Sequence, residues 1–183
     1  MPTPLIRRLS DAVVDSGGRA YLVGGAVRAM MMGLPTRDYD VEVFGLSLNQ
    51  LRLILGRFGP VNEVGRAFSV FKLGNLDVSL PRRDSKTGAG HTGFTVESDP
   101  TMTIDEAARR RDFTVNAMSI DLRSGALIDP YGGAQDLDHQ VLRAVDPETF
   151  VEDPLRVLRA MQFASRLDFT IAPSTIQLCL AIR

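Results

Sequence analysis

The sequence predicts an α+β fold, with a mainly antiparallel or mixed sheet followed by the start of a helical unit. Tyr21-Leu22-Val23 reads as a buried strand that passes through Gly24-Gly25 into the helix-forming run Ala26 to Met32. Asp38 to Phe44 alternates in character, with Tyr39, Val41 and Val43 on one face and Asp38, Asp40 and Glu42 on the other, as a half-buried strand does. Length suggests one domain with the start of a second, expected as a unit over 1–145 and a helical start over 146–183.

Taken in order, Leu5, Ile6, Leu9, Ala12, Val13 and Val14 recur at helical spacing and stop at Gly17-Gly18. Leu46 to Phe58 restores a helical period. Three apolar segments follow, Val61 to Val64, Ser69 to Leu73 and Leu76 to Leu80, separated by Gly65 and Gly74-Asn75, the pattern of an antiparallel meander. Pro81 to Thr103 is polar and glycine-rich with no sustained period. It reads as a long mobile loop, and loops beyond ~12 to 15 residues are often functional. Helical character returns at Ile104 to Asp112 and Thr114 to Ser119, then come a hairpin around Gly125 and a turn at Gly132-Gly133. Pro154 to Leu167 forms a helix with Glu152 and Asp153 at its start and Pro154 in its first turn. A last helix begins near Pro173 and is expected to run on at Arg183, as in a fragment or a domain of a longer protein.

Composition narrows the partners. The 183 residues carry 21 basic and 22 acidic side chains for a net charge of −1, so nucleic-acid binding has to rest on local patches. The single cysteine, Cys179, excludes an internal disulfide and fits a reducing cytoplasm. Met1 to Ser10 lacks a signal-peptide core, and no apolar run reaches the ~20 residues that cross a bilayer. A cytoplasmic location without membrane contact is expected. His91 and His139 read as surface residues, and Met30, Met31 and Met32 as helix packing.

Two aspartates at i and i+2 on a strand project from one face, so Asp38 and Asp40 can share one or two hard cations, and Mg²⁺ favours such oxygen ligands with water and phosphate. A third ligand would come from Asp77 or Glu42. Alone, such a pair is equally a solvated strand end. Ahead of it, Gly24-Gly25-Ala26-Val27-Arg28 offers backbone N–H groups at a helix start, with Arg28 one turn inside to hold a phosphate. Further on, Arg109-Arg110-Arg111 bring guanidinium groups that grip phosphate in bidentate fashion, and Asp112 and Asn116, four apart on a helix, can orient one another or a ribose. In Glu152 to Arg159, Asp153 and Arg156 lie three apart on one helical face that Arg159 continues, an acceptor beside donors able to read a base edge.

Together the segments YLVGGAVRAMMMGLPTRDYDVEVFG, RRRDFTVNAM, DPYGGAQDL and EDPLRVLRAMQFASRL, covering most of Tyr21 to Leu167, resemble the class II nucleotidyltransferases, which comprise bacterial poly(A) polymerases and CCA-adding tRNA nucleotidyltransferases. The resemblance implies a polymerase-β-like palm in a head domain, a helical neck that reads the incoming base, Mg²⁺ as cofactor, ATP and CTP as substrates, and the 3′ end of RNA, above all tRNA, as acceptor. It implies that Gly25 and Arg28 touch the nucleotide, Asp38 and Asp40 bind the metals, Arg111 contacts the triphosphate, and Asp153 and Arg156 form the base-reading edge with Arg159 nearby. Asp129 to Gly133 matches a structural turn, and Pro81 to Thr103 the flexible loop that shifts nucleotide preference, which favours A-addition over C-addition alone. Ala29 departs from the family's aspartate and Gln162 from a common basic residue. Body and tail domains would lie beyond Arg183. The expected reaction is CCA addition. The alternatives are poly(A) synthesis, an inactive nucleotide- or RNA-binding fragment, and a small-molecule nucleotidyltransferase.

Overall fold

The computed structural model describes residues 3–64, 70–86 and 94–182. Thr3 caps a first helix, α1 (Pro4–Asp15), whose Ile6, Leu9 and Val13 are buried. The chain turns at Gly17 into β1 (Arg19–Val23), passes Gly24 into α2 (Gly25–Met31) and returns in β2 (Tyr39–Phe44). A capping box between Ser47 and Gln50 starts α3 (Leu48–Leu55). The meander follows as β3 (Asn62–Val64), β4 (Val70–Leu73) and β5 (Leu76–Ser79), antiparallel throughout.

β5 then joins β2 in parallel, so the sheet is mixed, and β8 (Ser119–Asp121) and β9 (Leu127–Ile128) extend its other side. The seven strands run in the order β3-β4-β5-β2-β1-β8-β9. Central position explains a departure from the half-buried strand expected at Asp38 to Phe44. Alternate residues do face opposite sides, but both sides are covered toward the C-terminal end, and Glu42 is buried. On one face Ala20, Leu22, Val41 and Val43 join the main core with α1, α2 and α3. On the other Tyr21, Val23 and Phe44 pack against Met102 and Ala107 of the segment carrying α4 (Ile104–Arg109).

The polar stretch after Pro81 is not wholly a loop. Within it β6 (Arg82–Lys86) and β7 (Phe94–Ser98) pair antiparallel as a separate two-stranded sheet. Charged residues in β6 hide the alternation from a hydrophobicity reading. Residues 87–93, with His91, lie outside the described set. The helix expected at Ile104 to Asp112 ends earlier, at Arg109. That expected at Thr114 to Ser119 is a single 3₁₀ turn, Thr114–Asn116, because Ser119 is already paired in β8.

Thr103 accepts from the Glu106 N–H while the Glu106 carboxylate accepts from the Thr103 N–H, a capping box for α4. Thr103→Ala is expected to cost about 1 kcal/mol, read as a lower urea midpoint at unchanged slope.

Asp129 caps the short α5 (Gly133–Asp138), accepting from Gly133 N (2.7 Å) and Ala134 N (2.9 Å), which makes Asp129 to Gly133 a structural turn. A Cβ on Gly133 would sit 2.2 Å from Thr114 O, so the packing there requires glycine. His139 is exposed at the end of this helix, as expected. β10 (Val141–Leu142), α6 (Pro147–Phe150), α7 (Leu155–Leu167), β11 (Thr170–Ile171) and α8 (Pro173–Ala181) complete the chain, with β10 and β11 parallel. α8 stops at Ala181 with Ile182 extended, short of the expected continuation; Arg183 lies outside the described residues. Phe150, Ala160, Phe163 and Phe169 belong to the same core cluster as the sheet residues. Among the described residues no helix is long and apolar enough to cross a membrane.

Candidate active site

Period-two alternation puts Asp40 and Glu42 on the face of β2 that α4 also covers, and Asp38 stands one residue before the strand begins. Asp38 and Asp40 are exposed. Register places Asp40 beside Val23 of β1 and Asp77 of β5. Partial withdrawal of its carboxylate from water raises the Asp40 pKa. Arg111 pulls it down, and Asp77, Glu42 and Asp38 push it further up. Such a group gains from a cation.

The two candidates for a third acidic ligand differ. Asp77 lies directly across from Asp40 and is held by the half-exposed Lys72 at 2.7 and 2.9 Å. Glu42 is only 4% exposed, and its Oε1 accepts from Arg110 Nη2 at 2.7 Å and Arg111 Nη2 at 2.9 Å. Among the described residues no three His, Cys, Asp or Glu side chains are gathered tightly enough to hold a metal by themselves. Mg²⁺ sites of one or two carboxylates completed by phosphate and water meet no such demand.

The glycine turn comes close to this acidic face. Gly24 has φ 68°, and a Cβ there would lie 3.0 Å from Arg111 Nη1, so glycine permits the guanidinium to approach the turn. Arg28 is 5% exposed, donates to Asn116 Oδ1, and has its pKa lowered first by burial and then by Arg166. Asn116 donates in turn to Asp112 Oδ1 (2.9 Å), while Asp112 Oδ2 receives Arg159 Nε at 2.7 Å. Asp112 and Asn116 therefore orient one another, as expected from their spacing, although Asp112 lies outside any helix. They also tie Arg28 to Arg159 across the two segments.

Asp153 precedes α7, accepting from Leu155 N at 3.0 Å, and Arg156 Nη2 donates to Arg110 O at 2.6 Å. Arg109 turns away, toward Asp146 and Glu148. On sequence alone Phe163 has a packing role only and Arg166 none. The buried Phe163 ring lies under the guanidiniums of Arg28, Arg159 and Arg166, at 5.0, 5.2 and 5.6 Å from its centroid. The i+4 and i+7 spacing of Phe163 and Arg166 from Arg159 was the available signal.

Among the described residues, three cavities meet at Asp40. The largest, about 590 Å³, runs from Gly24 and Gly25 past Arg28, Arg111, Asp112 and Asn116 to Asp153, Arg156 and Arg159. It thus gathers Asp40 with the nucleotide-binding candidates but none of Asp38, Glu42 and Asp77; Asp38 lines a second cavity of about 440 Å³ with Gly25, Arg28 and Ala29. A third, about 230 Å³, lies toward β5 between Asp40, Glu42, Asp77, Ser79 and Arg82. Arg82, also unanticipated, borders both this cavity and the largest one.

Residues 20–143 match the family described as the Poly A polymerase head domain. The Multifunctional CCA protein of Stenotrophomonas maltophilia (strain R551-3) is 45% identical over 166 residues, 87% of this chain and 39% of that protein. The chain thus spans well under half the length of such relatives. Among solved structures, a CCA-adding enzyme in apo form II superposes with TM-score 0.81 at 32% identity over 97% of this chain and 44% of its own. A tRNA nucleotidyltransferase complexed with a primer tRNA and an incoming ATP analog gives 0.74 at 35% identity, covering 93% and 48%.

Proposed function

Because the chain belongs to the Poly A polymerase head domain family, we propose that it carries the catalytic site for template-independent transfer of CMP and AMP from CTP and ATP to the 3′-hydroxyl of tRNA, with release of pyrophosphate. The observation that carries this reading is the convergence of all three cavities on Asp40, with nucleotide-sized space on the side of Arg111 and α7. On this reading residues 1–145 are the head and 146–183 the start of the neck, in a cytoplasmic enzyme.

The residues fit a divalent ion. Asp38 and Asp40 supply carboxylates at i and i+2, Asp77 lies next to Asp40, and the Asp40 pKa is raised first by withdrawal from water and then by the neighbouring carboxylates of Asp77, Glu42 and Asp38. Bound Mg²⁺ would lower the pKa of the acceptor hydroxyl and offset charge on the transferred phosphoryl group. Asp38 and Asp40 would hold it, with Asp77, now paired with the half-exposed Lys72, as the third carboxylate. Arg111, against Gly24, stabilises the departing pyrophosphate. Gly25 and Arg28 border the nucleotide, Arg28 chiefly by fixing Asn116 and Phe163. Asp153 and Arg156 present the base-reading edge, and Arg159 keeps Asp112 and Asn116 in place beneath it. Ala29 lines the cavity of Asp38 and not the largest one, so the missing family aspartate bears on the metal side more than on base selection. Nothing in the structure explains Gln162, which is exposed on α7.

Poly(A) synthesis uses the same site with another acceptor. Primer extension with tRNA lacking CCA and with oligo(A), offered CTP and ATP separately, distinguishes the two. CMP and AMP addition to tRNA is expected, whereas AMP addition to oligo(A) alone would replace CCA addition with poly(A) synthesis.

A further inference from the structure

Glu42 is the most buried acid in the site, and its surroundings are unlike those of a metal ligand. One carboxylate oxygen receives both Arg110 and Arg111, and the other, Oε2, is enclosed without a hydrogen-bond partner among the described residues. A buried carboxylate is costly unless its charge is matched, and here two guanidiniums match it. The contact is directional. With Arg111 Nη2 fixed on Glu42, Nη1 of the same planar group is turned to the mouth of the glycine turn, 3.0 Å from the point where a Gly24 Cβ would stand. Arg110 is gripped at its side chain by Glu42 and at its carbonyl oxygen by Arg156 of α7.

Building on the nucleotidyl-transfer reading, we infer that Glu42 is a positioning residue: it aims the Arg111 guanidinium at the nucleotide's terminal phosphates and, through Arg110, sets the place of Arg156. Glu42 does not coordinate the metal. The sequence alone left Glu42 and Asp77 as alternative third ligands. Register and partners separate them, because Asp77 faces one half-exposed lysine and Glu42 two arginines whose side chains are only 21% and 18% exposed.

The opposite role has the opposite sign. If Glu42 merely neutralised the arginines, removing its charge would free two cations and tighten ATP binding. The test is the affinity of this chain for ATP at saturating Mg²⁺ in the wild type, Glu42→Gln, Arg111→Gln and the double variant, with melting curves for each and a Mn²⁺ titration. Glu42→Gln is expected to weaken ATP about tenfold or more, the size that follows from losing charge-assisted hydrogen bonds. AMP and Mn²⁺ affinities should stay within about twofold, and Glu42→Gln should add little once Arg111 is already glutamine. If Glu42→Gln does not fold, Glu42→Asp, which keeps the charge but withdraws it, should weaken ATP as well. Unchanged or tighter ATP binding, full additivity with Arg111→Gln, or a parallel loss of Mn²⁺ affinity would overturn the inference. A wild-type chain that binds no ATP would instead overturn the nucleotidyl-transfer reading on which it rests.

Discussion

Replacing Asp40 with alanine is expected to lower nucleotide incorporation by about a thousandfold or more without lowering the melting temperature at neutral pH. The two effects have one cause. Asp40 is exposed at the meeting point of the three cavities and is not itself a member of the apolar core. Its pKa in the folded protein is raised by loss of solvent and by Asp77, Glu42 and Asp38, which together outweigh Arg111. A raised carboxylate pKa means that the fold disfavours the ionised form. The penalty is absent below the unfolded-state value and is fully present above the folded one. At pH 7 removing the charge therefore relieves the cost of its withdrawal from water and the repulsion from its acidic neighbours, and Asp40→Asn should melt at the wild-type temperature or slightly above it. Below the ordinary carboxylate range the two proteins should converge. Paired melting scans from pH 7 to pH 3, run beside incorporation assays, check both halves. An Asp40 variant that is active, or one that unfolds, would remove Asp40 from the place given to it.

Phe113→Ala is expected to cost about 3 to 5 kcal/mol, a large share of the stability of a domain this size. Phe113 is fully buried in the stretch that follows Arg109-Arg110-Arg111, and its ring meets Phe150 and Phe163 edge-on, each at 5.9 Å between centroids. Phe150 belongs to α6 and Phe163 to α7, so this ring packs the sheet-bearing part of the chain against its helical end. The backbone N–H of Phe113 also donates to Asp112 Oδ1 at 2.8 Å. Urea unfolding should show a single transition at a much lower midpoint. A cost under about 1 kcal/mol, or two separate transitions in the wild type, would mean that residues 146–183 pack on the rest far more loosely than Phe113 implies.

The sequence made the acidic pair readable because period two alone puts Asp38 and Asp40 on one face, whatever the neighbouring strands do. The α+β class was readable for a similar reason, since glycine turns and apolar alternation are local signals, whereas the choice between a mainly antiparallel and a mixed sheet stayed open. Glu42 obeys the same alternation, yet its burial depends on Arg110 and Arg111 arriving from a segment nearly seventy positions away. Asp77 lies beside Asp40 only because β5 returns parallel to β2, a pairing that no local pattern encodes. Likewise β6 and β7 pair through backbone hydrogen bonds while their charged side chains conceal the strand, so a hydrophobicity reading found only a loop there. The pairing of β10 with β11 involves two residues on each side, too few for any period.

The most direct measurement is a single-turnover assay of this chain with tRNA lacking CCA, ATP or CTP, and Mg²⁺, following nucleotide incorporated and pyrophosphate released together. One pyrophosphate is expected for each nucleotide joined to the 3′-hydroxyl, with no transfer in EDTA, recovery when Mg²⁺ is restored, and none by Asp38→Ala or Asp40→Ala. Transfer that persists in EDTA or in either variant, or no transfer by the wild type at any acceptor concentration, would contradict the assignment of nucleotidyl transfer to this acidic pair.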